Sequence, residues 1–230
     1  MVNLVQRIQT PPATQRQLRA ISQEDFLAIL ATTEGGSSLD KRDRAVILLL
    51  ADSGCRAGSL CRLRLGDLRL DECEAAVVER WPKPHVIMFT ETTACAIRDW
   101  LKVRPTNKGN WLFTGFGSQD TMSPSSLRQM LKRRGKRASV AGPHNPYAFR
   151  HAFAIAYLTN GGDLASLADI LGHYNVMVTG EFHSRFIHGQ LREKHTRHSP
   201  VARIFGSSDV TTQATPPRTQ GMKGEPVKAL

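Results

Sequence analysis

Apolar positions fall in short blocks separated by Gly, Pro and Ser, and the spacing inside each block predicts an element. Phe26, Leu27, Ile29 and Leu30 supply the apolar side of a first helix. Ser22, with Asp25 three residues on, resembles its cap, and Gly35-Gly36 closes it. Asp40 is expected to cap a second helix. Its centre, residues 45–51, is apolar on all sides, which predicts burial all round, and Ser53-Gly54 stops it. A short helix is expected to follow through Leu65. The period then changes. Residues 74–79 and 85–89 are short, partly β-branched runs that flank Arg80-Trp81-Pro82-Lys83-Pro84, a pattern for two antiparallel strands joined by a turn.

Residues 92–103 return to helix, with Ile97, Trp100 and Leu101 on one face, and Arg104-Pro105 ends it. Ser123-Pro124 starts another helix. Residues 147–160 form a further one, closed by Gly161-Gly162. Asp163 caps a helix through Leu171 that Gly172 ends, and a short helix fits 176–187. From Gly206 onward Ser, Thr, Gln, Pro and Gly dominate, a composition that does not order by itself. The expected fold class is mainly α with a small antiparallel β-sheet (α+β). An N-terminal arm or linker covers 1–17, the folded domain 18–200 and a flexible tail 201–230. No internal repeat is present.

Charge adds a direction to this outline. The 230 residues carry 31 Lys+Arg against 20 Asp+Glu, a net +11, with a pI near 10. That balance points to a polyanionic partner, nucleic acid before an anionic membrane surface. Hydrophobic residues make up 40%, enough for a core. The longest apolar stretch, 45–51, is too short to span a bilayer. The first residues lack the apolar core and cleavage site of a secretory signal. Cys55, Cys61, Cys73 and Cys95 form no CxxC pair, so they read as reduced thiols and not as a disulfide framework or zinc site. The densest basic run is Arg128, Lys132, Arg133, Arg134, Lys136 and Arg137. These are candidate contacts to a DNA backbone that do not by themselves read bases.

Three stretches narrow the chemistry: ADSGCRAGSL at 51–60, YAFRH at 147–151 and LGH at 171–173. In order and separation they resemble the catalytic domain of the tyrosine recombinases, the phage-integrase family. About 90 residues lie between the first and second boxes and about 20 between the second and third. The resemblance extends over roughly 180 residues. It implies DNA strand cleavage and rejoining through a 3′-phosphotyrosyl intermediate, with no cofactor, metal or ATP. Phosphodiester cleavage by a side chain needs neutralised phosphate charge, an in-line nucleophile and a proton for the leaving 5′-oxygen. Arg56 and Arg150 match the family's phosphate-gripping pair, and guanidiniums suit bidentate contact without losing charge.

The family's proton donor is a lysine in the strand hairpin. Without gaps Arg80 falls at that place and Lys83 three residues later; only a lysine can release a proton near neutral pH, which favours Lys83 and leaves Arg80 as a DNA contact. His173 corresponds to a phosphate hydrogen-bond donor, and His151 to a residue that orients Arg150. The resemblance further implies double-stranded DNA as partner and self-association on it, from dimer to tetrameric synapse. Val201, Ile204 and Phe205 are candidates for docking the tail on a neighbour. The expected setting is cytoplasmic and DNA-associated, of prokaryotic or phage origin, with no membrane partner. The family usually carries an N-terminal clamp domain. Only about 17 residues precede the domain here, so a fragment, a minimal relative or a member of a split system is expected.

Two positions depart from the family. Tyr147 stands where the second box begins with histidine, and a phenol is a poor general base at neutral pH. His144 lies three residues too early, in a loop with Pro143 and Pro146. The nucleophile, expected nine residues after His173, falls on Phe182, which has the shape of tyrosine without its oxygen. Tyr174 has the wrong offset. Either an introduced Tyr→Phe substitution or a naturally non-catalytic DNA-binding relative, acting as regulator or accessory subunit, fits this pattern. A basic RNA-associated protein is a different class, and the chain lacks an RNP-like aromatic strand for it.

Overall fold

The computed structural model describes residues 19–78, 84–115 and 121–172, all within the first of two compact units, Met1–Gln190. Helix α1, Gln23–Ala31, begins where Ser22 Oγ accepts from the Asp25 amide at 3.0 Å. Helix α2, Ser38–Ser53, differs from expectation at its start. Its N-cap is Ser37, and Asp40 sits at the third helical position and bonds back to Ser37. Both residues of this reciprocal box have good capping chemistry, and the register is decided by which backbone turns first. The middle of α2 is buried all round, from Ala45 to Leu50.

Helix α2 ends at Gly54, whose φ of +60° suits glycine. A Cβ there would also lie 2.5 Å from Phe153 Cδ1 and 3.0 Å from Leu171 Cδ2. The residue therefore lets the chain turn where three segments meet. Helix α3, Ala57–Cys61, stops short of the expected Leu65; a 3-10 turn at Leu65–Asp67 follows. Strand β1, Leu68–Arg69, was not expected. It adds an edge to the strand pair β2, Glu74–Val78, and β3, Pro84–Met88, giving an antiparallel sheet in the order β1-β2-β3. Ala75 pairs with Ile87 and Val77 with His85. Ala75, Val77 and Ile87 are buried, while Met88 is exposed.

Helix α4, Glu91–Leu101, is capped from another element. Asp52, at the end of α2, accepts from the Thr90 amide at 2.6 Å and from the Thr90 and Thr93 hydroxyls. The helix stops before Arg104, which is buried and donates to the carbonyls of Pro105, Gly109 and Trp111, so it organises the following loop. Helix α5, Pro124–Arg137, starts at Ser123 as expected. Helix α6, Pro146–Thr159, is capped by Asn145. Helix α7, Leu164–Ile170, is capped by Asp163. The main core spans α1 to α6 and the sheet; a second small cluster, Ala154, Leu158, Leu167 and Leu171, joins α6 to α7. The helix expected at 176–187 and the tail lie outside the described residues.

A candidate phosphate site at the end of helix α7

The last turn of α7 exposes carbonyls with no partner inside the helix, and its dipole places partial negative charge there. Two arginines from distant parts of the chain converge on it. Arg150 projects from α6, and its guanidinium donates to Leu171 O and to Gly54 O, both at 2.8 Å. Arg56 follows the Gly54 turn at the head of α3 and donates to Gly172 O at 3.3 Å. Gly172 takes a positive φ of 62°, which turns the chain out of α7 beside these groups.

The carbonyls orient the guanidiniums and leave their formal charges intact. Burial, and after it the positive charge of Arg56, pushes Arg150 down to about 10. Burial also lowers Arg56. Both stay cationic at neutral pH. Two like charges held together out of bulk water favour an anion that can bridge them, and an oxyanion with two free oxygens meets two planar forks well.

Tyr147 lies one turn before Arg150, near the start of α6 and half-exposed. His144 is accounted for elsewhere: its Nδ1 bonds to Gly142 O at 2.8 Å, and its ring lies against Gly135 of α5. A third group at the site escaped the sequence reading. His85 of β3 bonds through Nε2 to Ile170 O at 2.9 Å. A signal for it exists, because His85 shares the inward face of β3 with Ile87, an unusual register for a polar ring. Arg80, Lys83, His173, Tyr174 and Phe182 lie outside the described residues, as do the docking candidates Val201, Ile204 and Phe205. His151 is half-buried on α6.

One member of the basic run is misassigned by sequence. Arg134 is 5% exposed and bonds Asp43 Oδ2 at 2.7 Å, Asp40 Oδ1 at 2.8 Å and Thr32 O at 2.7 Å. It is a core ion-pair residue and not an open DNA contact. Helical geometry explains it: Leu127, Met130 and Leu131 are buried, and Arg134 continues their stripe. Arg128, Lys132, Arg133, Lys136 and Arg137 are exposed on the other half of α5. A groove of about 980 Å³ beside α1 and α6, lined by Phe26, Phe149, Phe153 and Tyr157 among others, contains none of the arginines just described. Among the described residues no helix is long and apolar enough to cross a membrane, and no His/Cys/Asp/Glu group could hold a metal ion.

A helical domain with a small antiparallel sheet, in which two arginines converge on the end of α7, is the class these features define. The phage integrase family matches residues 19–185, and the chain belongs to that family. A tyrosine recombinase XerC from Alcanivorax borkumensis is 30% identical over 177 residues, covering 75% of this chain and 57% of the relative. The chain thus spans little more than half the length of that protein. The crystal structure of XerA recombinase superposes with a TM-score of 0.66 at 28% identity, over 84% of this chain and 67% of the other. XerH site-specific recombinase, bound to a palindromic difH substrate after cleavage, shares the fold at 17% identity, with a TM-score of 0.67 over 81% of this chain and 55% of the other.

Proposed function

We propose that this chain serves site-specific DNA recombination, with Arg56 and Arg150 binding one backbone phosphate of duplex DNA. The convergence of these two arginines, 94 positions apart in sequence, on the end of α7 carries the reading. In the chemistry of the family, a tyrosine oxygen attacks phosphorus. The phenol gives up its proton to solvent as the new O–P bond forms and the bond to the 5′-oxygen breaks, and Lys83 gives that oxygen its proton. His173 donates a hydrogen bond to the phosphate, Tyr147 helps to position it, and further copies of the chain assemble on the same DNA.

At position 182 stands phenylalanine, which has no oxygen to attack. The chain as it stands binds and does not cleave. Nicked duplex that traps a covalent intermediate tests this directly. Unaltered chain is expected to give no phosphotyrosyl band, and Phe182→Tyr to give one; a band from the unaltered chain refutes the assignment. In the Phe182→Tyr background, Arg150→Ala removes about 3–4 kcal/mol of transition-state stabilisation, a loss of several hundred-fold in rate. Phe182 equally favours a second reading, a non-catalytic DNA-binding regulator. Phe182→Tyr protein that binds duplex normally and still forms no adduct decides for it.

A further inference from the structure

Three side chains from three elements take three consecutive carbonyls. His85 of β3 takes Ile170, Arg150 of α6 takes Leu171, and Arg56 at the head of α3 takes Gly172. Neighbouring Cα atoms are about 3.8 Å apart, so an imidazole and two guanidiniums share one small patch. A Cβ on Gly172 would lie 3.4 Å from His85 Nε2 and Cδ2, so the ring packs directly against that glycine. A carbonyl only accepts, which makes Nε2 the nitrogen that carries hydrogen and leaves Nδ1 as the basic one.

Charges act on the ring from each side. Arg56 and Arg150 oppose a third positive charge, and Asp169 of α7 favours it. Across the strand pair its register partner is the apolar Val77, and the acid at the end of α2, Asp52, is engaged by Thr90 and Thr93. Partial burial first, and the two guanidiniums after it, hold the imidazole below its ordinary 6.5, against the pull of the Ile170 bond and Asp169. His85 is therefore neutral at pH 7 beside two cations. A phosphate on those cations reverses the balance, since its negative charge favours an imidazolium.

We propose that His85 is a third, proton-accepting member of the phosphate site: a phosphate docking on Arg56 and Arg150 draws a proton from solvent onto Nδ1, coupling DNA binding to proton uptake. The proposal rests on Arg56 and Arg150 being the phosphate-binding pair. The sign follows from linkage. Above both the free and the bound pKa the ring is neutral in either state, and below both it is charged in either state. Between them one proton is taken up on binding, and affinity rises by up to about tenfold for each unit of falling pH. The lower edge of that window lies below 6.5.

Calorimetry of the full chain with duplex DNA, near pH 6 in buffers of different protonation enthalpy, counts the protons. Unaltered protein is expected to take up more than His85→Gln, which keeps an N–H for Ile170 O and cannot titrate. Its affinity should also fall more steeply between about pH 6 and 8. Equal uptake by the two proteins overturns the proposal. The ring ¹⁵N shifts of His85 in the unaltered protein need no variant: a pKa that rises on adding DNA supports it, and one that stays put overturns it. The two readings separate through Arg150→Ala. Binding that ignores this substitution overturns the phosphate pair and His85 with it; binding that Arg150→Ala weakens while His85→Gln leaves proton uptake unchanged overturns His85 alone.

Discussion

Replacing Arg134 by alanine removes one cation from a buried network that joins the end of α1, the first turns of α2 and the last turn of α5. Asp43 is fully buried and Arg42 nearly so; Arg42 takes one carboxylate oxygen of Asp43 at 2.8 Å and Arg134 takes the other at 2.7 Å. Arg134→Ala leaves Asp43 with half its hydrogen bonds, frees Asp40 Oδ1 while Oδ2 keeps Ser37, and takes away the guanidinium that donates to Thr32 O. Breaking a buried pair by deleting one partner costs about 3–5 kcal/mol, because a desolvated charge stays behind. That is a large share of the ~5–15 kcal/mol that holds a typical protein folded. It corresponds to a melting temperature lower by roughly 10 °C for a chain of this size.

Urea titration of Arg134→Ala beside Arg133→Ala measures the difference. Arg133 is 54% exposed, 3.6 Å from Asp43, and its loss should change stability by less than about 1 kcal/mol. The network also sets an acid limit. Hydrogen bonds from Ser37, with help from Arg134, hold the Asp40 carboxyl below its ordinary value. Its contribution is present above pH 4 and is lost as pH falls through the lowered value. An Arg134→Ala protein with native stability and weakened DNA binding would refute this account and return Arg134 to the DNA surface.

The exposed cations of α5 make a separate prediction. If Arg128, Lys132, Arg133, Lys136 and Arg137 each meet a phosphate, log affinity should fall with log salt at a slope near −4.5, and Lys132→Ala should reduce that slope by about 1; a flat salt dependence refutes a DNA role for α5. Gly54→Ala should destabilise the domain by more than the ~1–2 kcal/mol expected from its positive φ, since the new Cβ meets Phe153, and should weaken DNA binding because Gly54 O holds Arg150; binding and melting curves that match the parent would refute it.

What the sequence made legible follows the range of the interaction. The caps Ser22, Ser123 and Asp163 act on residues three positions away, and each was readable from local pattern. The choice between Ser37 and Asp40 was local too, but reciprocal bonding made the two equivalent on paper. Strand β1 is two residues long and exists through its pairing with β2, so no period announces it. The arginine boxes were readable because their order is distinctive, even though the contact between them is long-range. For His85 the inward register was legible but the role was not, because the carbonyl that defines its place lies 85 residues onward. Arg134 hid inside a run of like charges, although its spacing from Leu127, Met130 and Leu131 marked it as inward.

The same side chain does opposite work in the two arginine clusters, and the partner decides which. In the α2–α5 network, carboxylates meet guanidiniums in the interior, so their charges cancel and the bonds serve the fold. At the end of α7, backbone carbonyls hold Arg56 and Arg150 in place with dipoles, which fix direction without cancelling charge. Asp40 and Asp43 are buried beside Arg42 and Arg134, and although Arg133 reaches Asp43 at 3.6 Å it stays 54% exposed, so the outer half of α5 presents its positive charge where a polyanion can reach it. Arg134→Ala thus tests folding, Arg150→Ala tests chemistry, and a variant that carried one effect into the other assay would show that the two clusters are coupled through α2, which holds Asp43 near one end and Gly54 at the other.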